Sequence, residues 1–162
     1  MALGIAFWLL ALTGVAAALL VVSVRGVFRA ALALVLCLLC VAGIYVTLSA
    51  DFLAAVQILV YVGAISVLII LGIMLTKDVQ KGSQLNRLSI PAFVVAAVLL
   101  GVIGYAVTAT RWQVSGVAPM EPTTAGIGAR LFGEGGLVLV VEIAGFLLLA
   151  AIVGAIVLGR EK

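Results

Sequence analysis

The chain contains no histidine, few charges and only three prolines. Without histidine it lacks the usual haem ligand, the commonest zinc ligand and the usual proton shuttle near neutral pH. Its two cysteines, Cys37 and Cys40, sit in an apolar run and cannot form a disulfide framework of the secreted kind. No basic stripe with interleaved aromatics is present, so nothing argues for a nucleic-acid partner. Only 9% of the residues are charged and 67% are hydrophobic. Soluble domains are about half apolar and about a quarter charged. A soluble fold cannot hide this much apolar surface, so the solvent must be a lipid bilayer.

A membrane span needs roughly 20 mostly apolar residues. Five stretches qualify: residues 3–24, 28–49, 52–76, 90–110 and 137–158. Backbone polar groups in lipid need internal partners, and the segments are too long and too uniformly apolar for barrel strands. The expected fold is therefore all-α, a single five-helix membrane domain over residues 1–162. The first and second spans meet at a basic turn around Arg25 and Arg29, and the second and third at Ser49, Ala50 and Asp51. Such short connections impose antiparallel neighbours. No basic residue precedes Arg25, and the first apolar run is of full span length, so it reads as a retained helix, not a cleaved signal.

Basic residues set the expected orientation. Arg25, Arg29, Lys77, Lys81, Arg87, Arg160 and Lys162 share one side, and only Arg111 and Arg130 lie on the other. This places the N-terminus outside and the C-terminus in the cytoplasm. Residues 111–136 form the longest connection, expected to be an irregular outer loop with one helical turn near Ile127 to Phe132. Small residues recur at helical spacing: Ala30, Ala33, Cys37 and Cys40; Ala97, Gly101, Gly104 and Thr108; Ala150 and Gly154. They let helices approach closely where no hydrophobic effect drives association, against this chain or its partners. With so few polar groups, the chain is expected to work inside a larger hetero-oligomeric membrane complex.

The literal C-x-x-C at Cys37 and Cys40 lacks the strand-helix context or the further ligands of a redox or metal pair, and reads as packing. Gly126 and Gly128 lack the third glycine, strand and lysine of a phosphate loop. Glu142 stands about five residues inside the fifth span. A carboxylate there is costly, and intramembrane ionisable groups are functional by default, so a polar or proton-conducting path is favoured over an interfacial position. Asp51 is expected to cap the third helix and Lys77 to snorkel at its cytoplasmic end. Gln57 and Tyr61 lie one turn apart on that helix. Gln57 and Glu142 are about equally deep, roughly 8–9 Å from the outer end of their helices, so the two side chains could meet.

The stretch VQILVYVGAISVLIILGIML, residues 56–75, resembles the corresponding tract of subunit J, or chain 6, of the proton-pumping NADH:quinone oxidoreductases (respiratory complex I). The resemblance extends to Gly43, Ile44 and Tyr45, to Asp51, Phe52 and Leu53, to Leu131, Phe132 and Gly133, and to Val141 and Glu142 with the closing apolar run. It covers most of the chain, and little of it falls between Lys77 and Ser115. It implies a core membrane subunit in a bacterial cytoplasmic membrane, with no cofactor and no chemistry of its own. NADH, FMN, iron–sulfur clusters and quinone are then handled by other subunits. It also implies a third helix that can carry a π-bulge within the tract matching Tyr61 to Ala64, whose interconversion with regular helix gates a water path. A π-bulge inserts one residue in a turn. Gly63 would ease remodelling of the backbone, and Ser66 could satisfy a freed carbonyl. Some members carry glutamate where this chain has Gln57, which can orient water but cannot carry a proton charge. The candidate site is thus Gln57, Tyr61, Gly63, Ala64, Ser66 and Glu142. A membrane-bound hydrogenase, a multi-subunit cation/proton antiporter or a purely structural subunit are the alternative settings for the same scaffold.

Overall fold

A computed structural model of the chain describes residues 2–76, 89–112 and 123–160. The described residues are helical, without strands. We label the helices α1 (Ala2–Ser23), α2 (Val27–Thr47), α3 (Asp51–Leu75), α4 (Ser89–Ala109), α5 (Thr123–Phe132) and α6 (Val138–Gly159). All except α5 are long and apolar enough to cross a membrane. Their ends lie within two residues of the bounds read from hydropathy, because the apolar runs themselves fix the spans. Lys77, Asp78, Lys81, Arg87 and Lys162 lie outside the described residues, as do Pro119 and Pro122.

The first three helices form an antiparallel packed unit, α1 on α2 and α2 along the whole of α3. Small residues make this approach possible. A Cβ added at Gly14 of α1 would stand 3.2 Å from the Cβ of Cys40, and one at Gly43 would meet the Leu10 side chain. Ala17, Ala31, Ala42 and Ala54 are buried within the unit. Cys40 is buried too, and its Sγ lies 3.4 Å from the Thr13 hydroxyl. Thr13 already donates to the carbonyl of Leu9 at 2.8 Å, so the thiol is a packing atom with a marginal polar contact. Cys37 and Cys40 are both free. Replacing both by alanine should cost only about 1–2 kcal/mol of stability, the loss of small buried groups. Thermal denaturation of the double variant against the wild type checks this prediction.

Helix α2 ends in a Schellman motif, with Ala50 N–H donating to Tyr45 O at 2.9 Å and Ser49 N–H to Val46 O at 3.1 Å. Ser49 takes the left-handed conformation (φ 57°) that glycine usually supplies. This reversal delivers Asp51 as the first residue of α3, not as its N-cap. Ala50 is the N-cap, and no side chain caps the helix. The expected capping by Asp51 is therefore corrected: its carboxylate sits in the first turn, where it complements the helix dipole.

The connection between the last two spans is more ordered than its composition suggests. In place of one turn it holds the ten-residue helix α5, which touches the start of α3 on one side and α6 on the other. A tight bend at Gly133 to Gly136 follows, with Gly135 at φ 73° and Leu137 N–H donating back to Arg130 O at 3.1 Å. No described residue of α4 or α6 is buried. The small-residue stripe of α4 is accordingly unfilled by the described residues, none of which has an atom within 4 Å of a Cβ at Gly101 or Gly104. Thr108 on that stripe satisfies its hydroxyl on its own helix, on Gly104 O at 2.9 Å.

Candidate functional site: the π-helical segment of α3

The middle of α3 is not an α-helix. Residues Gln57–Ile65 form a π-helix, flanked by α-helical turns on both sides without a break in direction. The segment is longer than the bulge expected around Tyr61 to Ala64, and it begins at Gln57. Its effect is visible in the pattern of burial. Ala54 and Gln57 are buried, Val62 is half-buried, Ser66 is buried, and Ile70 and Ile73 are half-buried. Steps of three or four residues are helical; the step from Gln57 to Val62 is five, the spacing of a π-turn. The wide turns thus shift the phase of the helix by one position. Below the segment, Ser66, Ile70 and Ile73 face inward in place of Leu68 and Gly72, which are exposed.

Two polar side chains are buried on α3, and they bracket the π segment. Gln57 is 8% exposed and Ser66 2%. The Gln57 amide donates to Leu38 O of α2 at 3.5 Å, the outer limit of a hydrogen bond. The Ser66 hydroxyl donates to Tyr61 O at 2.7 Å, and the Ser66 backbone N–H reaches the carbonyls of both Tyr61 and Gly63. The carbonyl altered by the π register is therefore doubly served, as expected of Ser66. At Gly63 a Cβ would lie 3.3 Å from Ile58 O, the carbonyl five residues back, a close contact that glycine relieves.

Beside the segment is a cleft of about 230 Å³ lined by Tyr45 of α2 and by Phe52, Leu53, Val56, Gln57 and Tyr61 of α3. The amide of Gln57 and the rings of two tyrosines give it a polar side within an apolar wall. Sequence does not single out Tyr45, Phe52, Leu53 or Val56 as site residues; Tyr45 joins the α3 residues only through the packing of α2 on α3. Ala64 is exposed, and Tyr61 is half-exposed at the rim. Glu142 is exposed on α6, which packs on α5. No direct hydrogen bond joins Gln57 to Glu142; the Gln57 amide donates to Leu38 O of α2. Lys77 lies outside the described residues. Among the described residues no group of histidine, cysteine or acidic side chains could hold a metal ion.

Comparison with known proteins agrees with the membrane architecture. The family of NADH-ubiquinone/plastoquinone oxidoreductase chain 6 matches residues 17–158. The F(420)H(2) dehydrogenase subunit J of Methanosarcina mazei is 39% identical over 162 residues, covering 96% of this chain and 90% of that one. The NAD(P)H-quinone oxidoreductase chain 6 of Synechocystis sp. is 39% identical over 161 residues, covering 97% of this chain and 80% of the relative. The NAD(P)H-quinone oxidoreductase subunit 6 of the Paulinella chromatophora organellar chromatophore is also 39% identical, over 97% of this chain and 78% of its own length.

Proposed function

Because the chain belongs to the NADH-ubiquinone/plastoquinone oxidoreductase chain 6 family, we propose that it is a core, non-catalytic membrane subunit of a proton-translocating quinone oxidoreductase. It helps couple quinone reduction to proton movement through remodelling of α3. The observation that carries this reading is the π segment Gln57–Ile65 beside a partly polar cleft. A π-turn inside a span is a costly, remodelable geometry that clusters at functional sites, and packed helices switch between discrete arrangements.

The chain sits in a bacterial cytoplasmic membrane with its N-terminus outside, as the distribution of arginine and lysine supports. Flavin, iron–sulfur clusters and the electron donor belong to other subunits. Relatives named for F(420)H(2) and for NAD(P)H are equally similar to this chain. That equality favours a role in the membrane part that does not depend on the donor. The exposed faces of α4 and α6, with their small-residue positions, meet other membrane subunits as well as lipid. Glu142 on α6 then faces a polar neighbour or water in the assembled complex, because a lipid-facing carboxylate is unfavourable.

The test is the number of protons pumped per electron in membrane vesicles carrying the assembled complex. Glu142→Gln removes the carboxylate and keeps its shape, and Gly63→Ala tightens the π-turn against Ile58 O. Both should lower the stoichiometry while electron transfer continues, Glu142→Gln because it removes the ionisable group from the span. Wild-type stoichiometry in both, or effects confined to assembly, would reduce the chain to a scaffold.

A further inference from the structure

Ser66 closes the π segment with two donors on one carbonyl. Its backbone N–H and its hydroxyl both reach Tyr61 O, five residues back. In an α-helix that carbonyl would belong to the N–H of Ile65, and Ser66 would donate to Val62 O. A serine hydroxyl in an α-helix bonds a carbonyl three or four residues back; here it reaches i−5, at 2.7 Å, a bond that the π register alone brings into reach.

The phase of α3 depends on which register holds. In α geometry nine residues make two and a half turns, so Gln57 and Ser66 would point to opposite faces. The π-turns bring them to one face, and both are buried. From Gln57 onward, continuous α-helix would instead turn Tyr61, Ile65, Leu68 and Gly72 toward α2, all of them exposed here. The two registers are therefore two different packings of the lower half of α3, one with a small buried serine at the contact and one with leucine.

We propose that Ser66 is a register-setting residue: its hydroxyl, bonded to the Tyr61 carbonyl, holds α3 in the π register and so selects Val62, Ser66, Ile70 and Ile73 as the stripe that packs on α2. This deepens the functional reading above, which needs a helix with two accessible geometries, by naming the side chain that biases one of them. In this role Ser66 acts through geometry. Through the turn it closes, it positions Tyr61 and Gln57 at the cleft.

The experiment is cryo-electron microscopy of the assembled complex, sorting particles by whether position 66 or Leu68 packs on α2, for the wild type, Ser66→Ala and Ser66→Cys. Alanine fits the same space and removes the donor; cysteine is close in size with a weaker donor. One buried hydrogen bond corresponds to a roughly two- to tenfold change in the ratio of π to α particles. Ser66→Ala should lower the ratio by that factor, and Ser66→Cys by less. Equal ratios in the three proteins would overturn the proposal. If Ser66→Ala fails to assemble, the wild type and Ser66→Cys decide it alone, an unchanged ratio again counting against. The proton-to-electron stoichiometry, measured on the same preparations, separates the two ideas. A shifted register with unchanged pumping leaves Ser66 as the register-setting residue and removes α3 remodelling from coupling. An unchanged register removes the role of Ser66 whatever the pumping.

Discussion

Replacing Gly14 by leucine should weaken the packed unit of α1, α2 and α3. The nearest atom to a Cβ at Gly14 is the Cβ of Cys40, 3.2 Å away. That atom is fixed to the backbone of α2 and cannot swing aside, so the helices must part. Parting them strips contacts from Ala17, which is 1% exposed, and from the Thr13–Cys40 pair. Lipid offers no hydrophobic penalty for separation, so packing is most of what holds the pair. Overpacking of this kind costs about 1–3 kcal/mol, occasionally more. The contrast with Gly43 is instructive. A Cβ there would lie 2.8 Å from the Leu10 Cδ1, nominally closer, yet that atom is the tip of a flexible side chain that can move. Gly14→Ala needs a shift of only a few tenths of an ångström and gains helix propensity of up to about 1 kcal/mol, so it should be near neutral. Gly4, with nothing within 4 Å of its Cβ position, provides the control. The midpoint of thermal dissociation and the yield of assembled complex should fall for Gly14→Leu and stay at wild type for Gly4→Leu. Equal behaviour of the two leucine variants would show that the close approach of α1 to α2 is not what stabilises this end of the chain.

The spans were legible because hydropathy alone determines them, and the buried serine and glutamine were legible because polar residues stand out in an apolar run. The phase of α3 was not. Nearly every residue from Ile58 to Leu75 is apolar, so inward and outward positions share one composition and no periodicity marks the five-residue step to Val62. Family resemblance pointed to Tyr61 and its neighbours, and the π segment begins one turn earlier. The turn before α3 escapes local rules for a related reason. Asp51 has the chemistry of a cap, but the Schellman motif places Ala50 in that position and uses Ser49, not glycine, for the left-handed residue. In α5, the glycines at 126 and 128 argued for loop. The helix persists through them, with contacts to the start of α3 and to α6 that no local rule registers. The cleft was hidden for the same reason: Tyr45 joins Gln57 and Tyr61 only when α2 lies against α3.

Gln57→Leu should separate the cleft's chemistry from its structure. The amide's one bond among the described residues, to Leu38 O at 3.5 Å, is long, and losing it costs no more than about 1 kcal/mol. Leucine is of comparable size and can fill the site at 8% exposure. The complex should therefore assemble. What changes is the buried base of the cleft, where a group that both donates and accepts is replaced by methyls. A cleft of about 230 Å³ has room for several waters, which stay only where polar partners hold them. With Gln57 gone, Tyr45 and Tyr61 still line the cleft, and its buried base becomes apolar. Apolar constrictions in membrane proteins close to protons by dewetting, so under the coupling proposed here the pumping rate should fall by roughly tenfold or more. Electron transfer measured with an uncoupler present should hold near wild type. Gln57→Glu keeps a polar group at the same place and should retain pumping. Leucine at 57 with full pumping would take the cleft off the proton route. Leucine and glutamate failing equally would instead mean that the amide's fit against α2, and not its affinity for water, is what the position supplies.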